Sequence, residues 1–374
     1  MKNFNLDKII IFYLVILWLF FGGGNTLAKT DPKIIPEGQL VQYLFDISGV
    51  PAVKGVAVSL DGKEIWAALL LNKHRGVSIF STVDGNKITD IDLYGGGGVE
   101  IVFSRDGTKA YISQMETAKV YEIDTKTKEI LKIFNTKSSW TKVLEISPDG
   151  TKLYASNWLG NNISEFDLVS GKLLRNIKTV KTPRGTYVTK DGKYIYVAGY
   201  GKGEIQKINL EDNTTKIIFK SGGAMRHFAY DEEKGILYIS DMAKNVIWKL
   251  DLATDNVTQF AKTDSHPNTI ALSGNKKILF VSNRGHNFSA TNYYVPGPDW
   301  GSVLLFDTST SKMLDAIVAG NQPTALDVSG DGSILVFSDF LDAKMEVFKV
   351  PSHEELLKGN GGRSMIYKKE LIKK

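Results

Sequence analysis

The 374-residue sequence contains no cysteine and only five histidines. The absence of cysteine excludes disulfide bonds, thiolate metal ligands and a lipid-modified cysteine anchor, so stability must come from packing alone. No pair of histidines or acidic residues has the spacing of a zinc or calcium site. We therefore expect neither a metal nor a cofactor.

The sequence has only one long hydrophobic run, which covers the 13 residues 9–21. A membrane-spanning helix needs about 20 residues, so this run is short for that role. Two lysines precede the run, and Thr26 and Ala28 follow it at the positions expected before a cleavage site. We interpret residues 1–28 as a signal peptide, with an uncleaved anchor as the alternative. The protein is then exported and is periplasmic, secreted or cell-surface, with no bilayer-spanning segment in the mature chain.

The part of the chain between residue 28 and Pro351, which we call its body, has almost no net charge. The formal net charge is +5, but three of these charges follow Pro351 and one belongs to the first 28 residues. A broad electrostatic footprint for nucleic acid is therefore not expected, although a local basic patch is compatible with the composition.

A repeat of about 42 residues runs through the chain. Its anchor is one large, usually aromatic residue, at Trp66, Tyr111, Tyr154, Tyr196, Tyr238, Phe280 and Val336. The intervals are 42 to 45 residues, except for a last interval of 56. A small residue, Ala or Ser, stands two positions after every anchor. Such regular copies predict an array of equivalent structural units.

Each unit has the pattern of four short antiparallel strands. In the third unit, alternating apolar segments are separated by "PDG", "NWLGNN" and "LVSGK". Repeated four-stranded units joined by Gly and Asp-Gly turns predict an all-β protein, a seven-bladed β-propeller of four-stranded antiparallel blades over residues 39–351. Because turns need such side chains, we interpret Ser147, Asp149 and Asp167 as scaffold.

The last unit offers only three good strands, whereas the segment "QLVQYLFDISGVPAVKG" (Gln39 to Gly55) supplies one strand too many. We expect this N-terminal strand to complete the seventh blade and to close the ring, which removes exposed sheet edges.

The pattern "SPDGTKLYASN…NNISEFDLVSGKLLRNI…TPRGTYVTKDGKYIYVAG" resembles the YVTN family of seven-bladed β-propeller repeats. The resemblance covers nearly the whole chain after the signal peptide. It implies an exported or surface-layer protein of prokaryotic type. It implies little about activity, because this architecture hosts unrelated functions.

A basic cluster is predicted on one face of the propeller, at the mouth of the central channel. Twelve residues before the anchors stand Lys54, Val99, Lys142, Arg184, Arg226, Asn268 and Thr324, with Trp140, His227 and His266 close to this position. Cations in a cleft attract anions, and arginine binds carboxylate or phosphate through two hydrogen bonds. The alternative is that these cations are solvated rim charges or are paired with Glu100 and Glu145.

The sixth unit is about 14 residues longer than the others, and the excess falls within the stretch "NRGHNFSATNYYVPGPDW" between Ser282 and Gly301. Unusually long loops are often functional. We expect Arg284, His286 and Trp300 to contribute to the same mouth, while a loop that plugs the channel is the alternative. Residues 352–374 form a basic C-terminal tail, which we expect to be a loosely packed terminus.

Three functions are compatible with this pattern. The one we favour is an exported, non-catalytic propeller, monomeric, that binds an anionic small molecule or a protein partner on the mouth face. An alternative is a lactonase- or lyase-type propeller enzyme acting on an anionic substrate, with His227 as base beside Glu100. The third is nucleic-acid binding through the basic mouth; the near-neutral body of the chain argues against it.

Overall fold

The computed structural model describes residues 36–70, 76–286 and 292–373. The predicted signal peptide lies outside the described residues. Over the described ranges the chain forms seven four-stranded antiparallel sheets in a ring, as predicted. No helix in these ranges is long and apolar enough to cross a membrane.

The strands follow one another around the ring, four to a blade. The chain enters through β1 (Gln42–Ser48). The first three blades contain, in order, β2 (Val53–Val58), β3 (Glu64–Leu69), β4 (Val77–Ser81), β5 (Lys87–Ile91), β6 (Ile101–Phe103), β7 (Lys109–Gln114), β8 (Lys119–Asp124), β9 (Ile130–Asn135), β10 (Thr141–Ile146), β11 (Lys152–Asn157), β12 (Asn162–Asp167) and β13 (Leu173–Lys178). The next three contain β14 (Pro183–Val188), β15 (Tyr194–Gly199), β16 (Glu204–Asn209), β17 (Thr215–Lys220), β18 (Met225–Asp231), β19 (Ile236–Asp241), β20 (Val246–Asp251), β21 (Asn256–Lys262), β22 (Pro267–Leu272), β23 (Ile278–Asn283), β24 (Ser302–Asp307) and β25 (Met313–Val318). The seventh blade contains β26 (Pro323–Val328), β27 (Ile334–Asp339) and β28 (Lys344–Lys349).

The first strand closes the ring. β1 pairs antiparallel with β28, in a register that runs from Gln42 opposite Lys349 to Ser48 opposite Lys344. The seventh sheet therefore has the order β1-β28-β27-β26. The prediction that the N-terminal strand completes the last blade is confirmed.

The repeat anchors form the core between blades. All seven anchor side chains are at most 2% exposed. Trp66 packs with Ile101 and Ile112 of the second blade, and Tyr154 packs with Ile195 of the fourth. Burial of large side chains between neighbouring sheets holds the ring together without disulfides.

The turn residues have the scaffold role predicted for them. The carboxylate of Asp149 accepts the backbone N–H of Thr151 at 3.0 Å, and the hydroxyl of Ser147 accepts that of Lys152 at 2.9 Å. Asp167 accepts the N–H of Ser170 at 2.6 Å. These side chains accept hydrogen bonds from backbone N–H groups that have no backbone partner in a tight turn.

A bulge in the first strand of most blades determines which residues face the channel. The pairing of β10 with β11 slips between Thr141 and Leu144, and the equivalent slip in the fifth blade lies between Met225 and Phe228. A bulge leaves extra residues unpaired and redirects their side chains. In the fifth blade, Ser240 accepts the freed N–H of His227 at 3.1 Å.

Where the small residue after the anchor is a serine, it also connects neighbouring blades. The hydroxyl of Ser240 also donates to the carbonyl of Asn268 in the next blade at 2.7 Å. Ser113 and Ser338 also accept a backbone N–H of their own blade and donate to a carbonyl of the next blade. That carbonyl belongs to Lys142 for Ser113 and to Val53 for Ser338. These serines join neighbouring blades beside the channel.

The C-terminal segment is packed, so the expectation of a loose terminus was wrong. It forms α1 (His353–Lys358) and a short 3-10 helix, Tyr367–Glu370. Tyr367 is fully buried, and its hydroxyl bonds Asp264 at 3.0 Å. The basic composition of this segment gave no indication of its apolar and polar contacts with blade six.

Candidate functional site

A cavity of about 500 Å³ occupies one end of the central channel. Its wall consists of cationic, aromatic and small residues from several blades: Lys54, Lys142, Trp158, Arg184, Tyr200, Ala224, Arg226, Met242, Ala243, His266, Arg284 and Tyr293. We call this the cationic cavity. Six of the predicted mouth residues, Lys54, Lys142, Arg184, Arg226, His266 and Arg284, line it, while Val99, Asn268 and Thr324 do not.

The cationic cavity has five cationic side chains and no carboxylate in its wall. Lys142, Arg184, Arg226 and Arg284 are 3 to 8% exposed. Among the described residues, none of the five makes an ion pair. No ion pair with Glu100 or Glu145 is therefore present within this part of the chain, although the charge of Glu100 favours the charged forms of Lys54 and Arg184. The buried basic side chains outnumber this carboxylate and repel each other, which favours an anion among them.

The lowered pKa values of these groups indicate that burial destabilises their charged forms. Burial, followed by repulsion from Arg184, Lys54 and Arg226, lowers the pKa of Lys142 to about 4. Burial and the neighbouring arginines hold the pKa of Lys54 well below its usual range. Burial also lowers the pKa of Arg226 and of Arg184. An anion bound here would relieve this electrostatic cost.

Aromatic rings support the cations from the sides. The ammonium of Lys142 lies 3.9 Å from the ring centre of Trp158. The guanidinium of Arg284 lies 4.3 Å from the ring centre of Tyr293, whose hydroxyl contacts the Nζ of Lys54 at 2.6 Å. Arg284 also donates to the side-chain oxygen of Gln322. The Nε–H groups of Arg184 and Arg284 are buried and have no hydrogen-bond partner among the described residues, which adds to the cost of burying these two guanidinium groups.

His227 and Glu100 lie in a second, smaller cavity further along the channel, with a volume of about 120 Å³. Their side chains approach to 3.7 Å, from His227 Nε2 to Glu100 Oε1. Lys54 lines both cavities. Asp327 shares the smaller cavity, and burial raises the pKa of its carboxyl to about 6. This constellation could move a proton, and no arginine lines its cavity, although the charge of Glu100 acts on Arg184.

Besides Val99, Asn268 and Thr324, three more of the predicted residues line neither cavity. Trp140 stacks on Trp158, with ring centres 5.5 Å apart, and is 38% exposed. The exposed His286 pairs with Asp299, and Trp300 packs beneath Lys373 of the C-terminal segment, with Nζ 4.5 Å from the ring centre. The long loop thus contributes Arg284 and Tyr293 to the cationic cavity, while its residues 297–300 contact the C-terminal segment.

Sequence reasoning missed several residues that line the cavity. Trp158, Tyr200 and Met242 each stand four residues after a repeat anchor, and Arg284 occupies the same position in the sixth blade. The repeat register could have revealed this second series. It was overlooked because its members differ in chemistry and because only basic residues were sought.

The fold and the site define a class of protein: a seven-bladed β-propeller with a cationic cavity on its axis. The family described as "Lactonase, 7-bladed beta-propeller" matches residues 94–221, which contain blades two to four and about a third of the chain. The narrower resemblance to YVTN repeats stays a prediction.

The chain is also similar to a known antigen in sequence and to a solved structure in fold. The chain is 32% identical over 260 residues to "Antigen Lp49" of Leptospira interrogans serogroup Icterohaemorrhagiae serovar copenhageni. The match covers 68% of this chain and 57% of that antigen, so the chain spans little more than half the length of its relative. Among solved structures, Kuenenia stuttgartiensis hydrazine synthase aligns with a TM-score of 0.68 and 15% identity, over 80% of this chain and 96% of that one. This similarity concerns the fold alone.

Proposed function

We propose that this protein is an exported, non-catalytic β-propeller that binds an anionic small molecule in its cationic cavity. The observation that carries the proposal is the set of five basic side chains, three of them arginines, that share one cavity whose wall has no carboxylate. Desolvated cations without counter-charges reduce stability, and a bound carboxylate or phosphate offsets that cost. Arginine can hold such a group through two parallel hydrogen bonds.

The dimensions of the cavity support a small molecule over a protein partner. A volume of about 500 Å³ falls in the usual range for small-molecule sites, roughly 300–1,000 Å³. A segment of a protein partner could place only the tip of an acidic side chain in this cavity. The same burial disfavours nucleic acid, because a phosphate backbone cannot reach cations that are 3 to 8% exposed.

A thermal-shift screen tests this proposal. Anionic metabolites and acidic sugars are added to the wild type and to an Arg184→Ala/Arg226→Ala double variant. A ligand raises the melting temperature of the state that binds it, so at least one anion should stabilise the wild type and not the variant. Equal shifts in both proteins, or no shift with any anion, would refute the proposal.

The location outside the cytoplasm is part of the same proposal. It is supported by the leader-like N-terminal sequence, by the YVTN-type repeats and by the similarity to a protein named as an antigen. Protease added to intact cells should degrade a surface-exposed protein while a cytoplasmic marker survives. Protection in intact cells and release by osmotic shock would indicate the periplasm instead.

A second candidate function is lactone hydrolysis. It is supported by the family match over residues 94–221 and by the contact between His227 and Glu100. In this proposal His227 removes a proton from the attacking water, Glu100 orients the imidazole, and Lys54 holds the substrate between the two cavities. Assays with sugar lactones, including phosphorylated ones, test it; no turnover above the buffer rate would leave the binding function alone.

A further inference from the structure

We propose that Lys142 is a nucleophilic amine that forms a Schiff base with an anionic oxo compound, such as a 2-oxo acid, bound by the surrounding arginines. This inference rests on the proposed anion-binding function and specifies the chemical class of the ligand. It assigns to the cationic cavity a reversible covalent bond in addition to ionic contacts.

The surroundings of Lys142 are unusual for a lysine. Its side chain is 7% exposed and lines the cationic cavity. Its Nζ makes no hydrogen bond and no ion pair within the described ranges. Two indole rings lie beside it, with ring centres 3.9 Å from Nζ for Trp158 and 5.2 Å for Trp140. An indole offers no lone pair that could accept a hydrogen bond from an ammonium.

Electrostatics favours the neutral amine. Burial, together with Arg184, Lys54 and Arg226, lowers the pKa of Lys142 to about 4. A desolvated cation–π contact contributes about 2 kcal/mol, or roughly 1.5 pKa units, to the charged form. That gain is too small to restore the charge at neutral pH. Lysines in apolar pockets or beside other cations are the ones that attack carbonyl groups.

Lys142 is a better candidate than Lys54. The Nζ of Lys54 already contacts the hydroxyl of Tyr293 at 2.6 Å, whereas the Nζ of Lys142 has no such partner. Tyr293 lines the same cavity and can pass protons to and from a bound ligand.

The chemistry balances without an oxidant or a reductant. The lone pair of Nζ attacks the carbonyl carbon and forms a C–N bond, and the carbonyl oxygen becomes a hydroxyl group. That hydroxyl takes up a proton and leaves as water, while nitrogen loses its second proton and a C=N bond remains. In a 2-oxo acid the carboxylate is bonded directly to the carbonyl carbon. A guanidinium that binds the carboxylate therefore holds the reacting carbon inside the cavity.

Reductive trapping tests the inference. The protein is incubated at pH 6 with pyruvate or glyoxylate and sodium cyanoborohydride, which converts an imine into a stable secondary amine. Ordinary lysines have a pKa near 10.4 and are protonated at this pH. We expect one adduct per chain, located at Lys142 by peptide mapping. The adduct should disappear in Lys142→Met and persist in Lys63→Met, which changes a side chain that is 79% exposed.

The pH dependence separates a site from general labelling. Between pH 6 and 8, the trapping rate at a normal lysine rises about tenfold per pH unit, because the neutral fraction rises by that factor. The rate at Lys142 should change less than threefold. A tenfold rise per unit at Lys142, an adduct located at Lys54, or adducts spread over the surface lysines would overturn the inference.

A parallel measurement with lactate distinguishes the two proposals. Lactate keeps the carboxylate and the size of pyruvate but lacks the carbonyl group. If both acids raise the melting temperature and pyruvate is not trapped, anion binding stands and the Schiff base is refuted. If neither acid, nor any other anion of the screen, stabilises the protein, the proposed function itself fails.

Discussion

His227 and Glu100 meet across the channel, with Nε2 and Oε1 3.7 Å apart, although 127 residues separate them in the sequence. The Nδ1 atom of the same imidazole is buried and has no hydrogen-bond partner within the described chain. A histidine with one nitrogen near a carboxylate and the other unused is suited to proton transfer.

If the chain opens lactones, His227→Gln should lower the turnover number by a factor of about 10² to 10⁴, which is the usual contribution of a general base. The anion-induced thermal shift should persist, because His227 does not line the cationic cavity. His286→Gln changes an exposed histidine outside both cavities and provides the control. Equal losses in the two variants would exclude His227 as the base.

Arg226→Met should make the ligand-free protein more stable. The guanidinium is 8% exposed, and its only described polar contact is with the sulfur of Met242 at 3.8 Å. Removal of a buried charge without a counter-charge should raise the free energy of unfolding by about 1–3 kcal/mol, as measured by urea denaturation. Arg175→Met is the matched control and should destabilise, because Arg175 pairs with Glu165 at 2.5 Å. Destabilisation by Arg226→Met would contradict the electrostatic description of the cavity.

Glu145 should make stability depend on pH. Burial raises the pKa of its carboxyl from 4.5 to about 8. Between these values the folded chain holds a proton that the unfolded chain has lost, so stability falls as pH rises. At pH 8.5, Glu145→Gln should therefore stabilise by about 2 kcal/mol. The full linkage of about 1.4 kcal/mol per pKa unit is not expected, because the side chain remains partly accessible to water.

The comparison needs two pH values and a control. At pH 4 the wild type and Glu145→Gln should have the same unfolding free energy, since the carboxyl is then protonated in both states. Glu211→Gln alters an exposed side chain and should have no effect at either pH. A benefit of Glu145→Gln that is equal at pH 4 and pH 8.5 would rule out titration as its cause.

Ser240→Ala should cost about 1–3 kcal/mol, because it leaves a buried N–H of His227 and a carbonyl of Asn268 without partners. Ser156→Ala should cost less, since Ser156 makes only the first kind of bond, to Val143 at 3.0 Å. Chemical denaturation of both variants measures the difference. Equal costs would show that the bond between blades is unimportant.

Asp315→Ala should be among the most destabilising substitutions, with a loss of roughly 3 kcal/mol or more. The buried carboxylate accepts N–H groups of Leu40 at 2.7 Å, Val41 at 3.0 Å and Arg363 at 3.0 Å. Its removal takes this acceptor from these three backbone donors and from the N–H of Ala316, which lies at 2.9 Å. Met365→Ala, at a side chain that is 89% exposed, is the control. A loss below 1 kcal/mol would mean that Asp315 does not fasten the C-terminal segment.

The repeat explains why the fold could be predicted. Each anchor, turn and small residue recurs at a fixed spacing, so strand order and blade number follow from local patterns. The same register placed Lys54, Lys142, Arg184 and Arg226 on one face, because equivalent positions in a propeller are related by rotation about its axis.

The remaining features depend on contacts that no local pattern encodes. His286 and Trp300 were expected in the mouth, but Asp299 and Lys373 engage them instead. Tyr367 is buried because it reaches Asp264, which lies 103 residues earlier. Such pairs lie outside the repeat, so its periodicity carries no information about them.

The pairing of β1 with β28 joins segments about 300 residues apart. A ribosome adding 5–20 residues per second makes the second of these strands roughly 15–60 s after the first. During that interval every nascent chain carries an unsatisfied strand edge, which can be taken up by a neighbouring copy instead. We therefore expect strand exchange between molecules to be a misassembly of this protein, with a frequency that rises with the density of chains under synthesis.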